Sequence, residues 1–272
     1  MPDSTIPVVL SIAGSDSGAG AGIQADLKTF AALGVYGTTA ITAITAQNTL
    51  GVQDWQEVSP DLIVAQIRAV ASDMRPKAVK TGMLGGPETV RTVAREIRDL
   101  GLENLVVDPV MKAKGGKDLL LQEAYEVMVK ELFPLARVVT PNLDEASELV
   151  GYDVKDLSQI KEAAKAIQTM GPAAVVIKGG HSQGQPNDLL YNGSEFFEYP
   201  GKRIDTPHSH GTGCTFASAV AAGLAKGMKV REAVFRAKEF TTRAVKHGLP
   251  LGGGHGPVNH FPDLLKQKMP EE

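Results

Sequence analysis

The sequence predicts one α/β domain built on a mostly parallel sheet with an antiparallel edge hairpin. Three observations predict it. Short β-branched apolar runs alternate along the chain with stretches of helical periodicity. Those runs are apolar at consecutive positions, the pattern of strands covered on both faces. Glycine, 29 of 272 residues against a usual ~7%, gathers in the loops that follow the runs. The length suits one large domain with a full core, and no linker or internal repeat divides residues 1–272.

The predicted strands are Val8–Ala13, Thr39–Thr45, Ala78–Thr81, Leu105–Asp108, Val138–Thr140 and Ala174–Lys178. Helical stretches lie between them. Ile23–Leu33 stops at Gly34. Asp61–Met74 follows Ser59 and Pro60, a cap residue and a first-turn proline. Glu88–Leu100 runs from Pro87 to Gly101, and Ser158–Met170 ends at Gly171. Such alternation implies right-handed crossovers and parallel pairing. One segment differs. Leu189-Leu190-Tyr191, Asn192-Gly193 and Phe196-Phe197 read as a hairpin with a type I′ turn, an antiparallel edge. Pro262 to Glu272 is charged and is expected to fray.

Composition excludes several classes. The single cysteine, Cys214, rules out an intrachain disulfide and a cysteine-based zinc site, and it fits a reducing, cytoplasmic setting. With 28 basic and 31 acidic residues and 5% aromatics, nothing steers the chain to nucleic acid or an anionic membrane. No Lys or Arg precedes Lys28, so no signal peptide is expected. The most apolar stretch, Phe216 to Ala225, is too short to span a bilayer.

Loops at the carboxyl ends of parallel strands are where ligands bind. The first, Gly14 to Gly22, fails both standard nucleotide patterns. Ile23 stands where a dinucleotide fingerprint needs Gly, and no lysine occurs before Lys28 for a Walker A loop. It holds more glycines than a tight turn needs, so it reads as a flexible loop for close approach of a small ligand. The second, His208 to Thr215, precedes a small-residue helix. Its backbone N–H groups at a helix N-terminus form an anion site. Cys214 falls at that point, where the helix field favours thiolate. Lys178, before Gly179-Gly180-His181, is placed to meet a phosphate. Asn142 either caps the helix Leu143–Val150 or, with Glu145, offers oxygen ligands to Mg²⁺. The six histidines make no metal pattern, and packing or a backbone hydrogen bond is expected for His210.

These motifs resemble one family. Ile12-Ala13-Gly14-Ser15-Asp16 with Gly20 to Thr29 is similar to the opening of the ribokinase-like kinases that act on hydroxymethylpyrimidine and phosphomethylpyrimidine. Thr45 to Thr49, Lys80 to Leu84, Val107 to Met111, Thr140 to Asn142, Lys178 to His181, His210 to Thr215 and Gly254 to Pro257 follow in the same order. The resemblance spans the whole chain. It implies a three-layer α/β/α fold and an enzyme, commonly a homodimer, that uses ATP and Mg²⁺. It implies two phosphorylations: 4-amino-5-hydroxymethyl-2-methylpyrimidine to its monophosphate, then to the diphosphate, on the way to thiamine.

Carried over by position, Gln47 hydrogen-bonds the aminopyrimidine edge. Gly14, Ala21, Met83 and Val110 line the substrate pocket, with Asp26 as its polar neighbour. Gly211, Thr212, Gly213 and Cys214 form the anion hole over the transferring phosphoryl group. Lys178 and Asp108 meet the ATP phosphates, and Asp108, Asn142 and Glu145 organise Mg²⁺. Many members of the wider superfamily have Asp as base where this chain has Cys214. The alternative for Gln47 is a polar residue that merely ends a strand. Two other readings compete: a pyridoxal or pyridoxine kinase of the same superfamily, and a non-catalytic pyrimidine-binding protein.

Overall fold

A computed structural model describes residues 6–111, 122–181 and 185–262. From residue 263 onward, the tail expected to fray lies outside them. The chain runs β1 (Val8–Asp16), α1 (Gly22–Ala32), β2 (Tyr36–Asn48), β3 (Gly51–Glu57), α2 (Pro60–Met74), β4 (Ala78–Thr81), α3 (Pro87–Asp99) and β5 (Leu105–Val107). It continues through α4 (Gln122–Val127), β6 (Val138–Val139), α5 (Leu143–Val150), α6 (Leu157–Thr169), β7 (Val175–Ile177), β8 (Asp188–Tyr191), β9 (Phe196–Tyr199), α7 (Thr212–Ala225) and α8 (Val230–Lys246).

The described strands form one sheet in the order β3-β2-β1-β4-β5-β6-β7-β8-β9. From β2 to β7 every pairing is parallel; β3 and the β8–β9 hairpin are antiparallel edges. The consecutive apolar runs are explained by two covered faces. Leu10, Ile12, Val79, Leu105 and Val107 face the layer of α2, α3, α5 and α6, with Ile63, Ile67, Val90 and Ile167. The alternate residues Val9, Ala78, Val106 and Val138 face α1, α7 and α8, with Phe30, Phe216, Val220 and Val234. No helix among the described residues is long and apolar enough to cross a membrane.

Three expectations need correction. β3 is a second antiparallel edge. Its sequence, Gly-Val-Gln-Asp-Trp-Gln-Glu, carries no apolar run because an edge strand need not bury both faces. The β8–β9 loop spans four residues. Gly193 has φ +92°, but Asn192 does not enter the left-handed region, so the turn is not type I′. Instead the Asn192 carboxamide accepts hydrogen bonds from the Ser194 and Glu195 amides and the Ser194 hydroxyl. Finally, β1 runs on through Gly14 to Asp16 past a register shift, so the first glycine loop is shorter than expected.

A buried charge cluster joins the layers where strand order reverses, between β1 and β4. Asp26 of α1 accepts hydrogen bonds from Ser11 of β1 at 2.6 Å, Lys80 of β4 at 2.9 Å and Ser218 of α7 at 2.6 Å. Asp26 and Lys80 are both fully buried. Burial alone would lower the Lys80 pKa, but Asp26, Cys214 and Asp108 together outweigh it and keep the ammonium charged. Asp26→Ala strands that charge and should cost roughly 3–5 kcal/mol in denaturant unfolding; a loss under ~1 kcal/mol would contradict the assignment. A second expectation concerns His260, whose Nε2 lies 2.9 Å from the Thr215 hydroxyl. Burial, with Lys28 nearby, lowers its pKa to about 4. The unfolded chain therefore binds the extra proton first, and stability should fall as pH drops from the ordinary histidine range towards 4. His260→Gln should flatten that part of a stability–pH curve.

Candidate active site

The reversal of strand order opens a cavity of about 970 Å³ at the carboxyl ends of the strands. Gly14, Ala21, Gln47, Met83 and Val110 line it, as do Gly211, Thr212, Gly213 and Cys214. Asp108, Asn142, Glu145 and Lys178 also line it. Asp26 does not: it lies beneath, as the buried partner of Lys80.

The N-terminus of α7 opens into this cavity. Its cap, Gly211, has φ +84°, and a side chain there would collide with the Gly20 carbonyl. The two glycine loops therefore touch backbone to backbone, which only glycine permits. The first loop is not the loose ligand cradle expected. Asp16 gathers its amides: Oδ1 accepts from Gly18, and Oδ2 accepts from Gly20 and Ala21 at 3.0 and 2.8 Å. Gly22, at the start of α1, turns its N–H to the Cys214 sulfur.

The expected thiolate is not found. Burial pushes the Cys214 thiol up to about 11, against the pull of Lys80; Asp26 and Asp108 push the same way as burial. The helix terminus is present, but desolvation outweighs it in the ligand-free chain.

Against Gly213 in the first turn of α7, the Lys178 ammonium sits 2.9 Å from Asp108 and 4.0 Å from Glu145. Burial opposes its charge, and those two carboxylates outweigh burial and raise its pKa. The Glu145 carboxyl is pushed up to about 7 by burial, opposed by Lys178 and reinforced by Asp108. Of the two open readings of Asn142, the cap is the one the structure shows. Asn142 and Glu145 make a reciprocal capping box on α5, and both still line the cavity.

Several site residues were not legible. His210 does more than pack: its Nε2 lies 3.1 Å from Asp16 and 3.4 Å from the Gln47 side-chain nitrogen, and its N–H donates to Gly256. Lys80 lines the cavity floor; a lysine inside Ala-Val-Lys-Thr, a fully buried strand, was a usable signal. Asp188 and Lys238 form another lining pair at 2.9 Å, and Asp188 also accepts from the Gly179 amide. Lys238 belongs to α8, which the sequence reading did not propose.

The chain has relatives over most of its length. The sequence profile of a family described as phosphomethylpyrimidine kinase matches residues 16–259. The hydroxymethylpyrimidine/phosphomethylpyrimidine kinase of Haemophilus influenzae is 49% identical over 263 residues, 95% of this chain and 98% of that one. The protein of the same name from Streptomyces coelicolor is 51% identical, covering 95% and 96%. Among solved structures, an ADP complex of Bacillus subtilis pyridoxal kinase is 42% identical with a TM-score of 0.89, covering 96% of this chain and all of that one. A family profile over most of the chain, near-complete coverage of its relatives and a shared fold lead to one assignment: this chain belongs to the phosphomethylpyrimidine kinase family.

Proposed function

We propose that this chain transfers phosphoryl groups from ATP first to 4-amino-5-hydroxymethyl-2-methylpyrimidine and then to the resulting monophosphate. The observation that carries the reading is one continuous cavity. Gln47, Cys214 at the α7 N-terminus, and the Lys178–Asp108 pair all line it. The cavity is large enough for a nucleotide beside a small ring.

Phosphoryl transfer needs positioning and charge neutralisation more than covalent help. The amides at Gly211 to Cys214 and the Lys178 ammonium face the charge that develops on the transferring group. The Asp108, Asn142 and Glu145 oxygens suit Mg²⁺. Mg²⁺ is commonly bound through one or two carboxylates with water and substrate phosphates rather than by an all-protein cage. Bound there, Mg²⁺ would neutralise phosphate charge; Asp108 and Glu145 would hold it. In the first transfer, the hydroxymethyl oxygen bonds to the γ-phosphorus as the bond to ADP breaks. The hydroxyl proton passes to Cys214, whose thiol is neutral in the ligand-free chain and first gives its own proton to solvent as the substrates bind, leaving the thiolate. Lys80 and the Gly22 N–H favour that thiolate against burial. In the second, the acceptor is a phosphate oxygen, already anionic, and no base is required.

Pyridoxal is the weaker substrate reading. The solved pyridoxal kinase is 42% identical, below the 49% and 51% of the pyrimidine kinases. The intact lysine–carboxylate–cysteine set weighs against a mere pyrimidine sensor. The reading includes a cytoplasmic homodimer: a free thiol at Cys214 suits a reducing compartment, and exposed Tyr36 and Ile44 of β2 offer apolar surface to a second copy.

An ATPase-coupled assay with the hydroxymethylpyrimidine, its monophosphate and pyridoxal tests the assignment; turnover of pyridoxal alone would overturn it. Cys214→Ala should lose ~100-fold or more in the alcohol step but under ~10-fold in the phosphate step. Equal losses in both would sink the base role. Gln47→Met should raise KM for the pyrimidine by about 10-fold and relax selectivity towards pyridoxal; unchanged selectivity would count against the contact.

A further inference from the structure

We propose that Asp16 and His210 are positioning residues that lock the Gln47 carboxamide with its oxygen towards His210, and so set which ring edge the site accepts. The inference rests on the reading of Gln47 as the ring-recognition residue.

The hydrogen-bond inventory around Gln47 leads to it. Asp16 is almost fully buried and already accepts three backbone N–H groups. Burial alone would raise its carboxyl, but hydrogen bonds from His210, Ala21 and Gly18 hold it below the usual carboxylate range. An ionised carboxylate only accepts, so the proton on the 3.1 Å contact belongs to His210 Nε2. That same nitrogen lies 3.4 Å from Gln47 Nε2, which also only donates. Two donors face each other. At the far end of the amide, Gln47 Oε1 lies 3.2 Å from the Thr45 hydroxyl, whose single proton has a shorter contact, 3.0 Å, to the Ser15 carbonyl.

Turning the amide by 180° resolves every contact. His210 Nε2–H then donates to Asp16 and Gln47 Oε1. Gln47 Nε2–H donates to Thr45 Oγ, and Thr45 donates to Ser15. Oxygen and nitrogen of a carboxamide are assigned from such networks, and this one has a single consistent solution. The lock is itself held in place. A side chain at Gly20 would collide with the His210 ring, and the His210 amide donates to Gly256.

The consequence is chemical. A 4-aminopyrimidine presents an amino donor beside a ring-nitrogen acceptor. The corresponding 4-oxopyrimidine presents the reverse, a carbonyl acceptor beside an N–H donor. A free carboxamide flips to suit either; a locked one discriminates.

The test uses both ring compounds and the intact protein. In ligand-free protein with ¹⁵N-labelled histidine, His210 should carry its proton on Nε2. A bare Nε2 with Nδ1–H would overturn the proposal whatever the substrate. Calorimetry should show the wild type binding the 4-amino compound at least ~10-fold more tightly than the 4-oxo compound. Asp16→Asn keeps its carbonyl oxygen against the Gly20 and Ala21 amides, so it removes the charge that fixes the His210 proton on Nε2 and loosens the hold on Gln47. The amino-to-oxo ratio should collapse or invert, with affinity for an ATP analogue changed less than about 2-fold. His210→Ala, which leaves the Asp16 loop contacts in place, should narrow the ratio with an unchanged thermal melt. Ratios unchanged in both variants would overturn the proposal. If the wild type binds neither ring compound, the pyrimidine reading fails instead, while the histidine spectrum still decides the lock.

Discussion

One buried carboxylate, Asp26, holds the catalytic end of this fold together. It accepts from β1 through Ser11, from β4 through Lys80 and from α7 through Ser218. Those elements meet where strand order reverses, the place where a parallel sheet necessarily leaves a crevice. A charge with no exposure is tolerated only when its partners are fixed. Fixing them fixes the axis of α7 and hence the position of its N-terminus. The backbone contact of Gly211 with Gly20 then brings the first glycine loop to the same point. Site geometry thus follows from a constraint set below the cavity floor.

The same cluster shapes the electrostatics above it. Lys80 is the cation nearest in effect to Cys214, and it works against burial and against Asp26 and Asp108. Lys178 is held between Asp108 and Glu145. Each cation is thus committed to a carboxylate in the ligand-free chain. Polyphosphate entering the site competes for the cations, and a divalent cation competes for the carboxylates. That balance suits a site that must take up a strongly anionic donor and release it.

Much of this was legible in the sequence, for identifiable reasons. Strands such as Ala78–Thr81 show themselves because both faces are buried. The α5 cap was legible as one of two readings because Asn142 is a good cap residue before Leu143; the reciprocal bond from Glu145 emerged only in the fold. β3 was not, since an edge strand may be polar throughout. The fate of the first glycine loop was hidden because its amides bond to Asp16, a residue inside the loop itself. The Cys214 thiol was misjudged for a related reason. Sequence reveals a helix start, which lowers a thiol pKa, but not the depth of burial or the carboxylates gathered around it, which raise it more. Long-range pairs such as Asp16 with His210, or Asp26 with Ser218, belong to the tertiary fold and leave no local pattern.

The most direct measurement is a crystal structure with a non-hydrolysable ATP analogue and 4-amino-5-hydroxymethyl-2-methylpyrimidine bound together. The ring should lie with its amino edge on Gln47 and its hydroxymethyl oxygen beside Cys214. The terminal phosphate should rest on the amides of Gly211 to Cys214, within reach of Lys178. A terminal phosphate bound away from the α7 N-terminus, or a ring bound away from Gln47, would contradict this assignment of the site.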